Sequence, residues 1–243
     1  MSDTVSCLLP ENIAKITKRD GQPHSLVEFD PKSTALVVID MQNFYIAKDQ
    51  ISYCEYAEAI VPNVNRLAKA MRKFGGKVIW VRNITNPEAF KGWSAHYERM
   101  TPERIATRKK ELAKDGAGFK LWEGLDVRKD DPKVNKIRYS AFIPGASNIE
   151  KVLGEHGIDT LIFCGVATNV CVESSARDAM MMNYHTLTVE DACAAGTIAG
   201  HEATINALYL NFGDVQMTDQ VLEALSANAG KNAGKSATAA AAE

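Results

Sequence analysis

Residues 35–40 read ALVVID, an apolar run rich in β-branched side chains that ends in an acid. Such a run is typical of a strand that is buried on both faces of a sheet. Further strand-like runs are KVIWVRN at 77–83, DTLIFCG at 159–165 and HTLTVED at 185–191, with a short DVQMT strand at 214–218. We therefore expect these segments to form the centre of one sheet.

Amphipathic segments separate these strands. Apolar residues from Val61 to Phe74 recur with helical spacing, Pro62 suits a first helical turn, and Gly75 follows the last apolar position. Further helices are predicted at 102–114, 169–184 and 201–210. Strands that alternate with helices need crossover connections, so we predict an α/β fold with a mostly parallel sheet and helices on both faces.

The flanking segments differ from this core in composition. Residues 1–30 mix charges with prolines and show little periodicity, so we interpret them as a peripheral arm beside a single domain at 31–226. The tail at 227–243 holds mainly Ala, Gly, Lys and Ser and is predicted to be disordered. Residues 84–125 carry aromatic side chains among many charges. This segment forms either a lid or pocket wall, or a surface excursion.

Composition excludes several classes of protein. The chain has 243 residues, 46% of them hydrophobic, and a formal net charge of -2, which gives no reason to expect nucleic acid or a membrane surface as a partner. We expect no secretory signal, because the first residues lack a basic segment followed by a long apolar stretch, and no run approaches the roughly 20 apolar residues of a membrane span. The five cysteines are scattered without a CxxC pair, which favours reduced thiols, a cytoplasmic location and no zinc knuckle.

Cys171 is the candidate nucleophile. It lies where strand 159–165 turns into the predicted helix, and a thiol in a first helical turn lies near unpaired N–H groups and the positive end of the helix dipole. We expect this position to favour the thiolate and to hold an oxyanion. The alternative is a buried cysteine that packs as a small hydrophobe, which is our interpretation of Cys164 and Cys193.

Two charged residues at strand ends complete the candidate set. Asp40 ends the first strand, where pockets form in parallel sheets, although an acid there could instead cap a helix or form a turn. Lys136, in VNKIRYSAF, could hold a neighbouring acid and stabilise charge near the thiol, or be a solvated surface charge. The five histidines are scattered, so no Cys–His pair is assigned.

Three ordered motifs resemble the isochorismatase-like cysteine hydrolases: TALVVIDMQNFY at 34–45, KIRYSAF at 136–142 and GVATNVCVESSARDAMMMNY at 165–184. The resemblance covers roughly residues 30–225. It implies a Rossmann-like sheet and a homodimer or homotetramer.

The resemblance also implies roles for individual residues. Asp40 would take the thiol proton, Lys136 would orient the acid, and Cys171 would form an acyl- or carbamoyl-enzyme. A cis peptide bond is expected between Val166 and Ala167, with the N–H groups of Ala167 and Cys171 forming an oxyanion hole.

Within this family the residues favour small ureido, N-carbamoyl or amide substrates. Isochorismatase has glycine at the Cys171 position, and nicotinamidases carry an Asp…His…His metal set after the second strand, where this chain reads RNITNPEAFKGW. We therefore expect no metal and no cofactor. The motifs look closest to ureidoacrylate amidohydrolases, and biuret or triuret hydrolysis, nicotinamidase and isochorismatase activity remain alternatives in that order.

Candidate substrate contacts follow from side-chain chemistry. Amides could bind a urea-like group, and an arginine could bind a carboxylate through two hydrogen bonds, unless it forms a structural ion pair. The predicted substrate-binding residues are Gln42, Arg82, Asn83, Arg138, Tyr139 and Asn169.

Two other classes stay open. A non-catalytic binding member of the family would not need all three catalytic positions filled. A thiol redox enzyme that uses Cys171 would need a resolving cysteine, and Cys164 is badly placed inside a strand.

Overall fold

Six parallel strands form one sheet in the computed structural model, which describes residues 5–228. Across the sheet their order is β3-β2-β1-β4-β5-β6. The strands are β1 Thr34–Ile39, β2 Lys77–Asn83, β3 Lys133–Lys136, β4 Thr160–Val166, β5 His185–Ala194 and β6 Asp214–Gln216. The predicted α/β fold with a Rossmann-like parallel sheet is confirmed.

Helices connect the strands and cover the sheet. They are α1 Pro10–Asp20, α2 Asn43–Ile46, α3 Val61–Lys73, α4 Pro87–Gly92, α5 Ser94–Tyr97, α6 Pro102–Glu111, α7 Ile149–Glu155, α8 Glu173–Met181 and α9 Ile198–Asn211, and residues 218–228 are also helical. No helix within residues 5–228 is long and apolar enough to cross a membrane.

Strand β1 occupies the centre of the sheet because it is the most apolar. All six of its residues are fully buried, and it pairs with β2 on one side and β4 on the other. The strand order reverses between β1 and β4, and this reversal opens a crevice at the carboxyl ends of the two strands. The residues that follow β1 and β4 therefore lie next to each other at this edge.

Three local features differ from the sequence-based expectations. The arm contains α1, whose Ile16 is buried and which contacts α9. The predicted helix at 169–184 is a π-helical turn, Thr168–Val172, followed by α8. Most of the tail that is predicted to be disordered, residues 229–243, lies outside the described residues. Residues 226–228 are helical.

Candidate active site

Asp40 lies immediately after β1 in an unusual backbone conformation. Its φ is 51°, in the left-handed region that aspartate tolerates better than most residues, and its N–H donates to the carbonyl of Val81 at 2.9 Å. The side chain is fully buried. The turn thus directs a carboxylate into the crevice at the carboxyl edge of the sheet.

Lys136 places its ammonium against this carboxylate. Its Nζ lies 2.7 Å from Asp40 Oδ2 and donates to the carbonyl of Arg138 at 3.0 Å, and both members of the ion pair have no exposed side-chain surface. Burial alone would lower the pKa of Lys136, but its interactions with Asp40 and Cys171 outweigh burial and raise it. Lys136 is therefore a buried cation, which excludes the alternative of a solvated surface charge.

Neither oxygen of Asp40 receives a hydrogen bond of ordinary geometry from the described residues. Asp40 and Lys136 are in close contact, and the attraction between their opposite charges mainly holds the pair together. Both oxygens consequently remain able to accept a proton from a third group.

Cys171 is that third group. Its thiol is 5% exposed and interacts with both Asp40 and Lys136. Burial raises the pKa of Cys171 to about 12, Asp40 adds to this increase, and Lys136 opposes it. The expectation that this position favours the thiolate is wrong for the resting site, because desolvation exceeds the effect of the nearby cation. The thiol is protonated, and it needs a base in order to attack.

The backbone around Cys171 turns sharply. The peptide bond between Val166 and Ala167 is cis, as the family resemblance implied. The carbonyl of Ala167 accepts from the N–H groups of Val170 and Val172. Among the described residues, no turn or loop hydrogen bond uses the N–H of Ala167, and Cys171 lies within the π-helical turn that follows it. These two N–H groups are thus candidates for the predicted oxyanion hole.

The side-chain amide of Gln42 is engaged in hydrogen bonds with backbone groups. Its amide nitrogen donates to the carbonyls of Asn83 and Phe119, and its amide oxygen accepts from the N–H of Asn83. It therefore fixes the ends of β1 and β2 and has little capacity left for a ligand. Asn83 lies opposite Lys136 in the sheet register, is 4% exposed, and its side-chain amide makes no hydrogen bond to another described residue.

The two arginines predicted to bind a carboxylate are engaged elsewhere. Arg82 pairs in register with Asn135, so its side chain lies on the opposite sheet face from Asn83 and Lys136. Its Nε donates to the Asn135 side chain, and its guanidinium covers the Phe119 ring. Arg138 donates to the carbonyls of Ile137 and Gly92. The structure does not bring either guanidinium into contact with Asp40, Lys136 and Cys171.

The remaining two substrate candidates lie apart. Tyr139 is half-exposed, interacts electrostatically with Cys171, and contacts His96 through its hydroxyl at 3.4 Å. Asn169 is exposed, and its side chain packs beside Gly200 in α9. Tyr139 thus belongs to the surroundings of the thiol, whereas no described contact connects Asn169 to it.

Three residues near the thiol were missed by the sequence analysis. Tyr45 is half-buried and interacts with Asp40, Arg108 and Cys171, and desolvation raises its pKa well above the ordinary value. Arg108 and His96 come from the 84–125 segment, and both interact with Tyr139, so part of this segment lies near the candidate site. Tyr45 adjoins the first motif and could have been suspected, but no spacing signal marks the other two.

One well-formed cavity lies apart from Cys171. It has a volume of about 530 Å³ and lies beside the end of β5 and the start of α9. One potential metal-binding group, formed by Cys7, Glu190 and His201, lines it. Cys164 and Cys193 are buried, and burial raises the pKa of both thiols, as their structural interpretation requires.

Sequence comparisons identify the family. The Isochorismatase domain matches residues 34–220. Ureidoacrylate amidohydrolase RutB of Acinetobacter baylyi is 31% identical over 241 residues, which cover 89% of this chain and 96% of the relative. The protein of the same description from Pantoea ananatis is 30% identical over 96% of this chain and 97% of its own length.

Solved structures agree with the sequence comparisons. A cysteine hydrolase from Pseudomonas syringae pv. phaseolicola 1448A superposes with a TM-score of 0.73 at 26% identity, over 82% of this chain and 95% of that one. N-carbamoylsarcosine amidase from Thermoplasma acidophilum gives a TM-score of 0.61 at 25% identity, over 77% and 97%. The chain belongs to the isochorismatase family and is a hydrolase of that family.

Proposed function

We propose that this protein is a metal-independent cysteine amidohydrolase that cleaves a C–N bond of a small ureido or N-carbamoyl substrate. The observation that carries the proposal is the buried group of three: a protonated Cys171 thiol that faces the Asp40–Lys136 ion pair. A thiol beside a base is the arrangement that nucleophilic catalysis at a carbonyl requires. The ion pair supplies both the base and a cation, so the attack needs no metal.

The proposed reaction starts with proton transfer from the Cys171 thiol to Asp40. The sulfur attacks the carbonyl carbon, and the oxyanion accepts hydrogen bonds from the N–H groups of Ala167 and Cys171. Asp40 then gives its proton to the leaving nitrogen as the C–N bond breaks and ammonia departs. Lys136 stays charged throughout and keeps the carboxylate in position.

Water completes the cycle. Asp40 accepts a proton from a water molecule, which attacks the thiocarbamate and releases the Cys171 sulfur as a thiol. The carbamic acid product loses carbon dioxide and leaves an amine or enamine.

A ureidoacrylate-like substrate is our first choice among ureido compounds. Relatives described as ureidoacrylate amidohydrolases match most of this chain at 30–31% identity, and a structural neighbour at 25% identity is described as an N-carbamoylsarcosine amidase. Both descriptions name a substrate with a urea-like group and a carboxylate. The side-chain amide of Asn83, which lies opposite Lys136 in the sheet register, supports this choice because an amide can hydrogen-bond a urea-like group.

The test is ammonia release from ureidoacrylate, 3-ureidopropionate, N-carbamoylsarcosine, biuret, triuret, nicotinamide and isochorismate as a non-amide control. We expect turnover of a ureido acid by the wild type, before and after exhaustive chelation, and none by Cys171→Ala. Cys193→Ser, which removes another buried thiol, should remain active. Activity that disappears on chelation and returns with zinc, iron or manganese would contradict metal independence, and an active Cys171→Ala protein would contradict the mechanism.

A further inference from the structure

We propose that Arg108 is an anion-binding residue that recognises the carboxylate of the substrate and selects ureido acids over neutral ureas. This inference rests on the proposed function, because it names the group at the far end of the same substrate. The observation behind it is a buried guanidinium that forms no ion pair with a described residue and shares two tyrosine neighbours with the nucleophilic thiol.

The surroundings of Arg108 leave its charge uncompensated. The residue lies in α6 and is 7% exposed, and its Nε has no hydrogen-bond partner. Among the described residues no carboxylate forms an ion pair with it, and its guanidinium lies 5.4 Å from the centre of the Phe44 ring. A buried charge without a partner is costly, and proteins retain one where a ligand completes the site.

Two tyrosines connect Arg108 to the reacting sulfur. Tyr45 interacts with Arg108 and with Cys171. Tyr139, which lies far from Tyr45 in the sequence, interacts with the same two residues. The guanidinium and the thiol therefore lie within electrostatic range of the same two tyrosines. Asp40, which also interacts with Tyr45, is already paired with Lys136 at 2.7 Å, so it does not neutralise Arg108.

Other cations reinforce the field at this site. His96, which stacks on Trp93, is surrounded by the charges of Arg108, Arg99, Arg104 and Arg138. A positive field in a partly enclosed space attracts an anionic ligand and disfavours a cationic one. Of these arginines, Arg138 donates to backbone carbonyls, whereas Arg108 is buried, hydrogen-bonds to Tyr45 and keeps an Nε without a partner, which makes it the candidate donor to a carboxylate.

The experiment compares a charged and a neutral substrate. Arg108→Met is assayed with 3-ureidopropionate and with its methyl ester, which has the same ureido group without the charge. We expect kcat/KM for the acid to fall by roughly 10- to 100-fold, mainly through KM, because a charge-assisted hydrogen-bonded contact is lost. The value for the ester should change little. Lys110→Gln, which removes an exposed charge from the same helix, should behave as wild type.

Equal losses for acid and ester, or no loss for either, would overturn the proposal. Arg108→Lys gives a second test if Arg108→Met does not fold. Lysine keeps the charge but cannot form the bidentate hydrogen bonds of a guanidinium, so KM for the acid should still rise. An unchanged KM in Arg108→Lys would count against a bidentate contact.

A binding measurement separates this inference from the proposed function. Succinate binding to Cys171→Ala and to Cys171→Ala/Arg108→Met is measured by calorimetry, which needs no turnover. If no ureido acid is hydrolysed but succinate binds only when Arg108 is present, the proposed function fails and the anion site stands. If ureido acids are hydrolysed and succinate binds both proteins equally, the anion site fails and the function stands.

Discussion

The protonated thiol of Cys171 determines how the three catalytic candidates depend on one another. Its pKa near 12 means that almost no thiolate exists at neutral pH, so attack must be coupled to proton transfer. Asp40 has two oxygens without a hydrogen bond of ordinary geometry and is the available acceptor. The rate therefore depends on the base at least as strongly as on the nucleophile.

Asp40→Asn should lower kcat by roughly 10²- to 10⁴-fold, because the amide can neither accept the thiol proton nor protonate the leaving nitrogen. KM should change much less, since the two side chains have the same shape. Steady-state kinetics on a ureido acid check this expectation. A variant with wild-type kcat would show that another group serves as the base.

Lys136→Met should raise the pKa of Cys171 further, because Lys136 is the cation that lowers it. Alkylation of Cys171 by iodoacetamide should then become slower, and its rate should rise only at higher pH than in the wild type. Lys133→Met, at the exposed beginning of the same strand, is the matched control. An unshifted alkylation profile in Lys136→Met would remove Lys136 from the catalytic group.

These three residues could be predicted because strand ends in a parallel sheet meet at one edge. Arg108 and His96 could not, because their positions depend on how the 84–125 segment folds back over that edge. Arg82 and Arg138 were predicted from charge alone. Sequence position does not reveal that Arg82 faces the opposite side of the sheet or that Arg138 binds backbone carbonyls.

At the scale of elements, the 84–125 segment is the part whose behaviour should depend on pH. Partial burial, followed by the charges of nearby arginines, lowers the pKa of His96 to about 4. An unfolded histidine titrates near 6.5, so between these values the unfolded chain binds more protons than the folded one. Stability from this segment is thus fully present above pH 6.5 and is lost as the pH falls towards 4.

His96→Phe should reduce the loss of Tm between pH 7 and pH 5. Phenylalanine can keep the stack on Trp93, whose ring centre lies 3.9 Å from that of His96, but it cannot take up a proton. Differential scanning calorimetry at several pH values measures the effect, and His185→Gln, at an exposed position, is the control. The same pH slope in His96→Phe and the wild type would show that His96 does not cause it.

Element boundaries were predictable where apolar periodicity was strong and less so where function alters the backbone. Helix α3 and strand β2 begin where their sequences indicate. Around Cys171 the pattern predicts one continuous helix, yet the first turn is π-helical. Local propensity does not encode this turn, because its geometry depends on packing between β4 and α9.

At the scale of the whole molecule, the arm is held by residues almost 200 positions away. Asn206 in α9 accepts from the N–H of Leu9 and the side chain of Asn12, and it donates to the carbonyl of Cys7. The sequence indicated an arm but not its partner, because no local pattern specifies a contact of such separation.

Asn206→Ala should destabilise the protein by about 1–3 kcal/mol, because it leaves partly buried backbone groups of the arm without partners. Urea denaturation measures this change, and limited proteolysis should show earlier cleavage within residues 5–20. Asn211→Ala, at an exposed position of the same helix, should leave both unchanged. Equal protease resistance of wild type and Asn206→Ala would show that the arm is held by other contacts.

The central position of β1 has a consequence for synthesis on the ribosome. β1 ends at residue 39, but its neighbour β4 begins only at residue 160. At about 5–20 residues per second, roughly 6–25 seconds pass between the two. During that time one edge of a largely apolar strand has no native neighbour, and such an edge can pair with other chains. The nascent chain should therefore depend on chaperone protection most strongly before β4 emerges.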